Sequence, residues 1–293
     1  MKANKHSIAV VLTMVLLLMV GGMSAQDKKA SAKAKAADRS KTAENPAAKQ
    51  RLLTVTTVHR NMDASDLSME NWKAIEKEYY DKVTKQNALI VGQQMLMHYF
   101  TADNSEMLLV KVYESWDAIE KSGVRDDELI KAGWPDEKAR KAFFEKRQAY
   151  YAPHHSDEIY ATFPGAKNPP ADFTKPMLYY VRKSHWANPK DGTEKEFNEL
   201  RDQYLNAVTY KNDFIKAYYP NVHAWGSNNM EFSEVYVVET LSDIEKAFDK
   251  DDELFKVVWS DDAKAKDFNR KFGKYFTGIH GDYIYRSVPE LAK

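Results

Sequence analysis

The fold is decided by Glu114-Ser-Trp-Asp-Ala-Ile-Glu-Lys121 and by its match 125 residues later, Glu239-Thr-Leu-Ser-Asp-Ile-Glu-Lys246. Working outward from this pair, Trp72–Pro164 aligns with Phe197–Pro289 without a gap, and about a third of the aligned positions are identical. The two copies close on similar segments, His155-Ser-Asp-Glu-Ile-Tyr160 and His280-Gly-Asp-Tyr-Ile-Tyr285. A repeat of this length means that one structural unit occurs twice in the chain.

Each copy is predicted to contain the order strand, helix, strand, strand, helix, strand. Segments rich in β-branched and aromatic residues predict the strands, and a helix follows the first strand because Trp72, Ile75 and Tyr79 recur at helical spacing. Thr193, followed three residues later by Glu196, predicts a capping box at the start of the matching helix in copy two. The predicted strands are 52–59, 89–100, 108–114 and a short one at Ile159-Tyr160, with 177–185 opening copy two. This order is the ferredoxin-like βαββαβ arrangement, of the α+β class.

The two copies are expected to cover each other. A four-stranded sheet with helices on one face leaves its other face bare, so the two sheets are predicted to pack face to face as a barrel within one chain. We assign residues 52–164 to repeat 1 and 177–293 to repeat 2. The Pro-rich stretch 165–176 is predicted to be a linker, because proline and glycine stop both helix and strand.

The N-terminal 51 residues are predicted to lie outside the fold. Lys2 and Lys5 precede an apolar run of 13 residues, Ile8–Val20, and small residues follow it, which is the pattern of a secretory signal peptide over residues 1–25. The run is shorter than the ~20 residues of a membrane span. Residues 26–51 are rich in Ala and Lys without apolar periodicity, so we expect a disordered linker. The mature protein is therefore predicted to be periplasmic or secreted, without a transmembrane span.

Composition excludes several classes of function. The chain of 293 residues has 43 basic and 43 acidic side chains, but the leader and residues 26–51 hold ten of the basic and three of the acidic ones. The remainder has 33 basic and 40 acidic residues. A net-negative body argues against a nucleic-acid partner, since nucleic-acid-binding domains are basic. The chain has no cysteine, which rules out disulfides, thiolate metal sites and cysteine nucleophiles.

In this element order, the strand-ending Glu114-Ser-Trp-Asp-Ala-Ile-Glu and its match in copy two resemble the dimeric α/β-barrel (ferredoxin-like) superfamily. That superfamily includes antibiotic-biosynthesis-monooxygenase-like, NIPSNAP-like and EthD-like proteins, and fused-repeat haem proteins similar to chlorite dismutase. The resemblance implies a barrel of two four-stranded sheets, with a pocket inside it or between sheet and helices. It carries over no catalytic residue, and members range from cofactor-free oxygenases to haem enzymes to proteins without known chemistry.

Three pairs of histidines recur in the two copies and are the main candidate site residues: His59 with His185, His98 with His223, and His155 with His280. In the ferredoxin-like order, the ends of strands one and two and the start of strand four lie at the same edge of the sheet. The sequence thus predicts a histidine cluster at this edge in each copy.

The histidine clusters admit three interpretations. They line a pocket as ligand contacts or general bases near neutral pH, they hold a metal, or they are half-buried sheet residues satisfied by neighbours such as Asp157 and Asp282. A metal requires ligands within ~2.0–2.2 Å of one point. The strand between strands one and two keeps two of the histidines about 10 Å apart, so we predict no metal site.

Other residues refine the expected site. Arg182 and Lys183 replace Thr56 and Thr57 of copy one, which makes copy two the better candidate for binding an anion. Glu114 and Glu239 lie at the ends of the third strands. Each is expected either to cap the following helix or to act as a buried base. Four aromatic residues at helix-facing positions are expected to belong to the core: Trp134, Trp259, Phe143 and Phe268.

The sequence supports three functional hypotheses. The first is an exported barrel that binds a small aromatic or anionic molecule through these histidines, Arg182 and Lys183. The second is a cofactor-free or haem-dependent oxidoreductase that uses a barrel histidine. The third is a non-catalytic scaffold or partner-binding protein. Cofactor, oligomeric state and self-association are left open by the sequence.

Overall fold

The computed structural model describes residues 49–63, 68–169 and 173–293. The predicted signal peptide and nearly all of the predicted N-terminal linker lie outside these residues. The strands are β1 (Leu52–Arg60), β2 (Gly92–Phe100), β3 (Glu106–Tyr113), β4 (Tyr151–Thr162), β5 (Leu178–Trp186), β6 (Ala217–Trp225), β7 (Glu231–Val238) and β8 (Phe276–Ser287). The helices are α1 (Met69–Lys82), α2 (Trp116–Gly133), α3 (Glu137–Gln148), α4 (Glu194–Ala207), α5 (Leu241–Val258) and α6 (Asp262–Gly273).

The eight strands form one closed barrel in the order β1-β3-β2-β8-β5-β7-β6-β4. Each half has the ferredoxin-like order, with the first and third strands side by side, so the predicted tandem repeats and the resemblance to the dimeric α/β-barrel superfamily are confirmed at the level of the fold. Two seams close the barrel: β2 pairs with β8 through Leu96 and Ser287, and β4 pairs with β6 through Ala161 and Val222. Closure leaves no unpaired sheet edge among the described strands.

All eight neighbouring pairs are antiparallel, and this places both predicted histidine edges at the same end of the barrel. At this end β1, β2, β5 and β6 finish while β3, β4, β7 and β8 begin. We call it the upper end. Because the copies meet antiparallel at each seam, histidines of both repeats converge there.

Side chains alternate between the barrel lumen and an outer layer beneath the helices. The lumen is filled largely by apolar and aromatic side chains, including Leu96, Leu108, Tyr179, Val181 and Tyr285. The outer layer of repeat 1 packs α1 against β2 and β3 through Trp72, Met95 and Met107, among others. The outer layer of repeat 2 is an aromatic cluster that includes Trp186, Phe197, Phe268, Phe272 and Phe276. The predicted core positions Trp134, Trp259, Phe143 and Phe268 all pack in these outer layers.

The helix caps differ from the sequence prediction in two places. Ser115 and Thr240 cap α2 and α5, whereas Glu114 accepts a hydrogen bond from Arg51 at 2.8 Å, so the predicted capping role of Glu114 and Glu239 is wrong. Serine and threonine hydroxyls reach the free backbone N–H groups of the first turn better than a longer carboxylate one residue earlier.

The expected capping box at Thr193 is only half formed. Thr193 accepts from the backbone N–H of Glu196 at 3.1 Å, but the Glu196 carboxylate turns away to the hydroxyl of Tyr275 at 2.5 Å. A complete capping box occurs instead at Thr240 and Asp243. Among the described residues, no helix has both the length and the apolar character needed to cross a bilayer.

Candidate functional site

Two rows of polar side chains lie across the strands at the upper end. The first row crosses β1, β3, β2 and β8, because His59 is opposite Glu106 and His98 is opposite Tyr285. The second row crosses β5, β7, β6 and β4, because His185 is opposite Glu231 and His223 is opposite Tyr160. The members of the first row are His59, Glu106, His98 and Tyr285; those of the second row are His185, Glu231, His223 and Tyr160.

Each row crosses a seam through a hydrogen bond between a tyrosine of one repeat and a glutamate of the other. The Tyr160 hydroxyl lies 2.9 Å from the Glu231 carboxylate across the seam and 2.6 Å from the Glu158 carboxylate of its own strand. In the first row the Tyr285 hydroxyl donates to Glu106. Burial, together with the adjacent carboxylates, raises the pKa of both tyrosines. The two hydroxyls therefore stay protonated. Tyr285 donates across its seam, and Tyr160 lies between a carboxylate of its own repeat and one across the seam.

A lysine completes the second row. The Lys183 ammonium lies 3.1 Å from Glu231 Oε1, 3.1 Å from the Tyr160 hydroxyl and 3.5 Å from Glu158 Oε2. Burial alone would lower the pKa of Lys183, but the attraction of Glu231 and Glu158 outweighs it and raises the pKa. The ammonium is thus fully committed to two carboxylates of the lumen.

Arg182 does not join Lys183. Consecutive strand residues face opposite sides of a sheet, so Arg182 lies in the outer layer, where it is 9% exposed. The structure therefore does not form one anion site from the two cations. Copy two is therefore not favoured over copy one for binding an anion through Arg182 and Lys183 together.

His155 and His280 face away from the rows. His155 Nε2 lies 3.2 Å from Asp157, which also accepts a hydrogen bond from Thr56 at 2.7 Å. His280 Nδ1 lies 2.9 Å from Asp282. The prediction of three clustered histidines per copy is therefore wrong for this pair, which occupies the outer face because strand alternation separates it from Tyr160 and Tyr285. His155 and His280 each pair with a neighbouring aspartate, as expected of sheet residues that Asp157 and Asp282 satisfy.

The histidine that faces an open space is His59. A cleft of about 300 Å³ at the upper end is lined by residues of β1, of the β2–β3 turn and of the start of β4. Its wall holds two imidazoles in tilted contact, His59 and His154, whose ring centroids lie 4.5 Å apart at an angle of 33°. The lining also contains Arg60, Asn61, Met62, Asp63, Asp103, Ser105, Tyr151, Ala152 and Pro153.

The His59 ring is fixed by the β2–β3 turn. His59 Nδ1 lies 3.1 Å from Asp103 Oδ2 and 3.3 Å from the Ser105 hydroxyl. Hydrogen bonds from the side chain and backbone of Ser105, with the nearby His59, lower the pKa of Asp103. A carboxylate beside Nδ1 favours the tautomer that carries its proton there. The lone pair of Nε2 is then available to a ligand, which is the geometry of a hydrogen-bond acceptor or general base.

The packing between the sheet and the helices leaves no room for a haem group, which is one of the cofactors that the resemblance to the dimeric α/β-barrel superfamily implies. The outer layer of repeat 2 is filled by aromatic side chains in mutual contact, for example Trp186 on Phe276 with ring centroids 5.2 Å apart. The outer layer of repeat 1 holds a cavity of about 20 Å³, lined by Glu76, Lys111 and Arg147 among others. Such a cavity has room for about one water molecule. No group of three or more metal-binding side chains converges among the described residues.

The chain was compared with known proteins. No protein-family model matches it, and no curated protein matches it. Solved structures do: a candidate monooxygenase from Fusobacterium nucleatum has 12% identity, 81% coverage of this chain, 91% coverage of that chain and a TM-score of 0.49. An anthrone oxidase-like protein has 10% identity, coverages of 83% and 92%, and a TM-score of 0.46. A variant chlorite dismutase from Candidatus Nitrospira defluvii has 11% identity, coverages of 82% and 92%, and a TM-score of 0.47. Likeness at this level transfers no activity, so the fold rests on the strand order of this chain.

Sequence reasoning missed the tyrosines and glutamates of the rows. Glu106 and Glu231, like Tyr160 and Tyr285, are identical at the repeat offset, which was a usable signal. Their contacts cross the seams between repeats, however, and the strand order at the seams does not follow from one repeat alone. His154 was also missed because it has no counterpart in copy two.

Proposed function

We propose that this chain is an exported protein that binds a small aromatic or anionic molecule in the upper-end cleft beside His59 and His154. The observation that carries the proposal is the cleft of about 300 Å³ walled by two imidazoles in contact, one of them fixed by Asp103. A volume of this size lies at the lower end of the range for small-molecule sites. The proposed site is in repeat 1, whereas the sequence favoured repeat 2.

The lining supports an aromatic acid as ligand. The faces of His154 and Tyr151 offer apolar surface for a ring, and rings prefer offset or edge contacts with such partners. Arg60 lies in the lining, and no carboxylate lies within 4.0 Å of its guanidinium among the described residues. A guanidinium of this kind matches a carboxylate in a two-point contact. His59 Nε2 supplies an acceptor for a hydroxyl on the same ligand.

The test is NMR titration of the full mature protein with benzoate, acetate and phenol, followed through the imidazole signals. Benzoate combines ring and charge, so it should shift the signals of His59 and His154 more than acetate or phenol does. His59→Asn should abolish the saturable shift. His155→Asn is the matched control, because His155 is an exposed histidine paired with an aspartate on the outer face. Equal responses to all three compounds, or unchanged binding by His59→Asn, would refute the proposal and favour a scaffold without a ligand site.

A second candidate function is an enzyme in which His59 acts as a base, as expected of a cofactor-free oxidoreductase. The contact of Asp103 with His59 Nδ1 favours it, since such a contact leaves Nε2 able to accept a proton from a bound phenol or enol. 4-Nitrophenol is a suitable probe, because transfer of its hydroxyl proton to His59 changes its colour. At fixed pH, the wild type should raise the phenolate absorbance, and Asp103→Asn should weaken the effect. No colour change at saturating protein would remove this candidate while leaving binding intact.

Export is proposed from the charged start, the apolar run Ile8–Val20 and the small residues that follow it. Expression of the full chain with a C-terminal tag in a bacterial host, followed by fractionation and N-terminal sequencing, tests it. A mature N-terminus close to residue 26 in the exported fraction is expected. An uncleaved chain in the cytoplasm would contradict export without affecting the cleft.

A further inference from the structure

The two rows at the upper end differ in their charged groups. The second row contains the Lys183 ammonium and, 3.5 Å from it, the carboxylate of Glu158, whose counterpart beside the first row is Tyr283. Both contain the same glutamate, histidine and tyrosine, since Glu106, His98 and Tyr285 match Glu231, His223 and Tyr160 at the repeat offset. The second row also receives the ammonium of Lys183 from the neighbouring strand. The internal repeat thus provides two glutamate–tyrosine pairs, Glu231 with Tyr160 beside a cation and Glu106 with Tyr285 without one.

Strand register defines where the cation of the second row comes from. Lys183 on β5 is opposite Ser233 on β7, and Glu231 lies two residues earlier on the same face of β7. The side chain therefore reaches diagonally across the sheet, and its ammonium lies 3.1 Å from Glu231 Oε1 and 3.1 Å from the Tyr160 hydroxyl. Diagonal neighbours of this kind are within reach of long side chains.

The corresponding position in the first row has no cation. Thr57 on β1 is opposite Leu108 on β3, and Glu106 lies two residues earlier on the same face. The side chain of Thr57 is too short to reach that carboxylate diagonally. Among the described residues, no nitrogen of a lysine, arginine or histidine lies within 4.0 Å of the Glu106 carboxylate, whose recorded partner is the Tyr285 hydroxyl. Glu106 is half-buried.

We propose that Glu106 and Tyr285 bind a primary ammonium group, which occupies in the first row the position that the Lys183 ammonium holds in the second. An ammonium has three N–H donors, so it can donate to a carboxylate oxygen and to the phenol oxygen together. In the first row, the Tyr285 hydroxyl gives its proton to Glu106 and keeps its lone pairs for the incoming donor. The ligand is either the free ammonium ion or the amino group of a small organic amine, which share this chemistry.

Thermal unfolding of the full mature protein in chloride salts at constant ionic strength tests the proposal. The probes are ammonium, ethylammonium, tetramethylammonium and sodium. Tetramethylammonium carries the same charge without N–H donors, so it controls for screening of the negative body. A ligand at ten times its dissociation constant raises the Tm of a domain of this size by about 3–6 °C. We expect a saturable rise with ammonium and none with tetramethylammonium or sodium. A response to ethylammonium identifies an amine ligand, and a response to ammonium alone identifies the ion.

Two variants test whether the rise in Tm with ammonium comes from binding at Glu106. Glu106→Gln should lose the ammonium response. Thr57→Lys should lose it as well and should raise Tm without any ligand, because the new side chain repeats the reach of Lys183. Thr56→Lys is the matched control: it adds the same charge one residue earlier, on the outer face beside Asp157, and should keep the response.

Three results would overturn the proposal. They are equal Tm in ammonium, tetramethylammonium and sodium; an ammonium response that survives in Glu106→Gln; and one that survives in folded Thr57→Lys. The Thr57→Lys variant retains the bond between Tyr285 and Glu106, so it remains informative if Glu106→Gln fails to fold.

Discussion

The substitution Asp251→Asn is expected to stabilise the protein at neutral pH. Asp251 lies in α5, where its carboxylate accepts a hydrogen bond from Asn212 Nδ2 at 2.7 Å. Burial raises its pKa from 3.8 to about 6, with a smaller contribution from the negative charge of Asp252. Asparagine keeps the shape and an acceptor oxygen for Asn212 while removing the charge whose burial is unfavourable.

The sign follows from proton binding in the two states. The native carboxyl binds its proton more tightly than the unfolded one, so the native state is favoured most at pH values below 3.8 and loses stability as the pH rises towards 6. Above this range the full penalty applies. A difference of about two between the pKa values corresponds to about 3 kcal/mol, which is the upper limit of the gain expected from Asp251→Asn at pH 7.

Urea unfolding of wild type and variant, followed by tryptophan fluorescence between pH 3.5 and 8, measures this difference. The gain should approach its maximum above pH 6 and shrink towards zero as the pH falls to 3.8. A gain independent of pH would show that packing or helix propensity, not the charge of Asp251, is responsible. No gain at pH 7 would refute the assigned burial penalty.

The matched control is Asp126→Asn in repeat 1. Asp126 matches Asp251 at the repeat offset and accepts from Asn87 Nδ2 at 2.6 Å, so its setting is similar. It differs in having the Lys111 ammonium 3.6 Å away, with both side chains 15% exposed. Neutralising Asp126 leaves that ammonium without its partner, so the variant should lose stability at pH 7. The same chemical change should thus have opposite effects in the two repeats.

Three further predictions concern the barrel and its layers. Haemin titration should give no saturable Soret band, because aromatic side chains fill the outer layer of repeat 2; a stoichiometric band would contradict this packing. Tyr160→Phe should lower the free energy of unfolding by about 1–3 kcal/mol, since the hydroxyl contacts Glu231 and Glu158; urea unfolding with an unchanged midpoint would count against it. Lys183→Met should cost about 3 kcal/mol at pH 7 by leaving those carboxylates unpaired, and a neutral outcome in the same assay would show that the ion pair is solvated.

The order of elements could be predicted from sequence because each repeat is locally consistent. Helical spacing at Trp72, Ile75 and Tyr79 and the breakers between the copies required no tertiary information. The placement of the histidines at a common edge also followed from topology. His59 and His98 share the lumen face at this edge, whereas His155 lies on the outer face. The opposite faces of Arg182 and Lys183 could have been predicted from their adjacency alone.

The strand pairing at the two seams of the barrel and the location of the cleft could not be predicted. A repeat contains no information on how its edge strands meet those of its copy, so the contacts of Tyr285 with Glu106 and of Tyr160 with Glu231 were invisible. The cleft depends on one turn that places Asp103 and Ser105 against His59. This placement depends on turn geometry, for which the spacing of residues gives no rule.

The outer layers of the two repeats have diverged in chemistry. In repeat 1, Glu76 is 4% exposed and forms a two-point ion pair with Arg147 at 2.8 and 3.0 Å. The matching residues of repeat 2 are Arg201 and Phe272. Arg201 is 3% exposed and has no carboxylate within 4.0 Å among the described residues; it donates instead to the carbonyl of Pro164 at 2.6 Å and so anchors the chain between the repeats.

The two rows at the upper end differ less from each other than the two outer layers do. The way the rows are built across the two repeats gives a physical reason for this. An outer layer is built mainly from one repeat, so a change there can be compensated within that repeat. Each row takes its glutamate and histidine from one repeat and its tyrosine from the other, so a change in either copy breaks a contact that the other copy must match. Glu106 and Glu231 are identical, as are Tyr160 and Tyr285, which agrees with their contacts across the seams. The position of Thr57 and Lys183 does differ: Lys183 reaches Tyr160 and Glu158 of the other repeat, and Thr57 is too short for such a contact. At a position of this kind, one half of the barrel can acquire a binding property that the other half lacks.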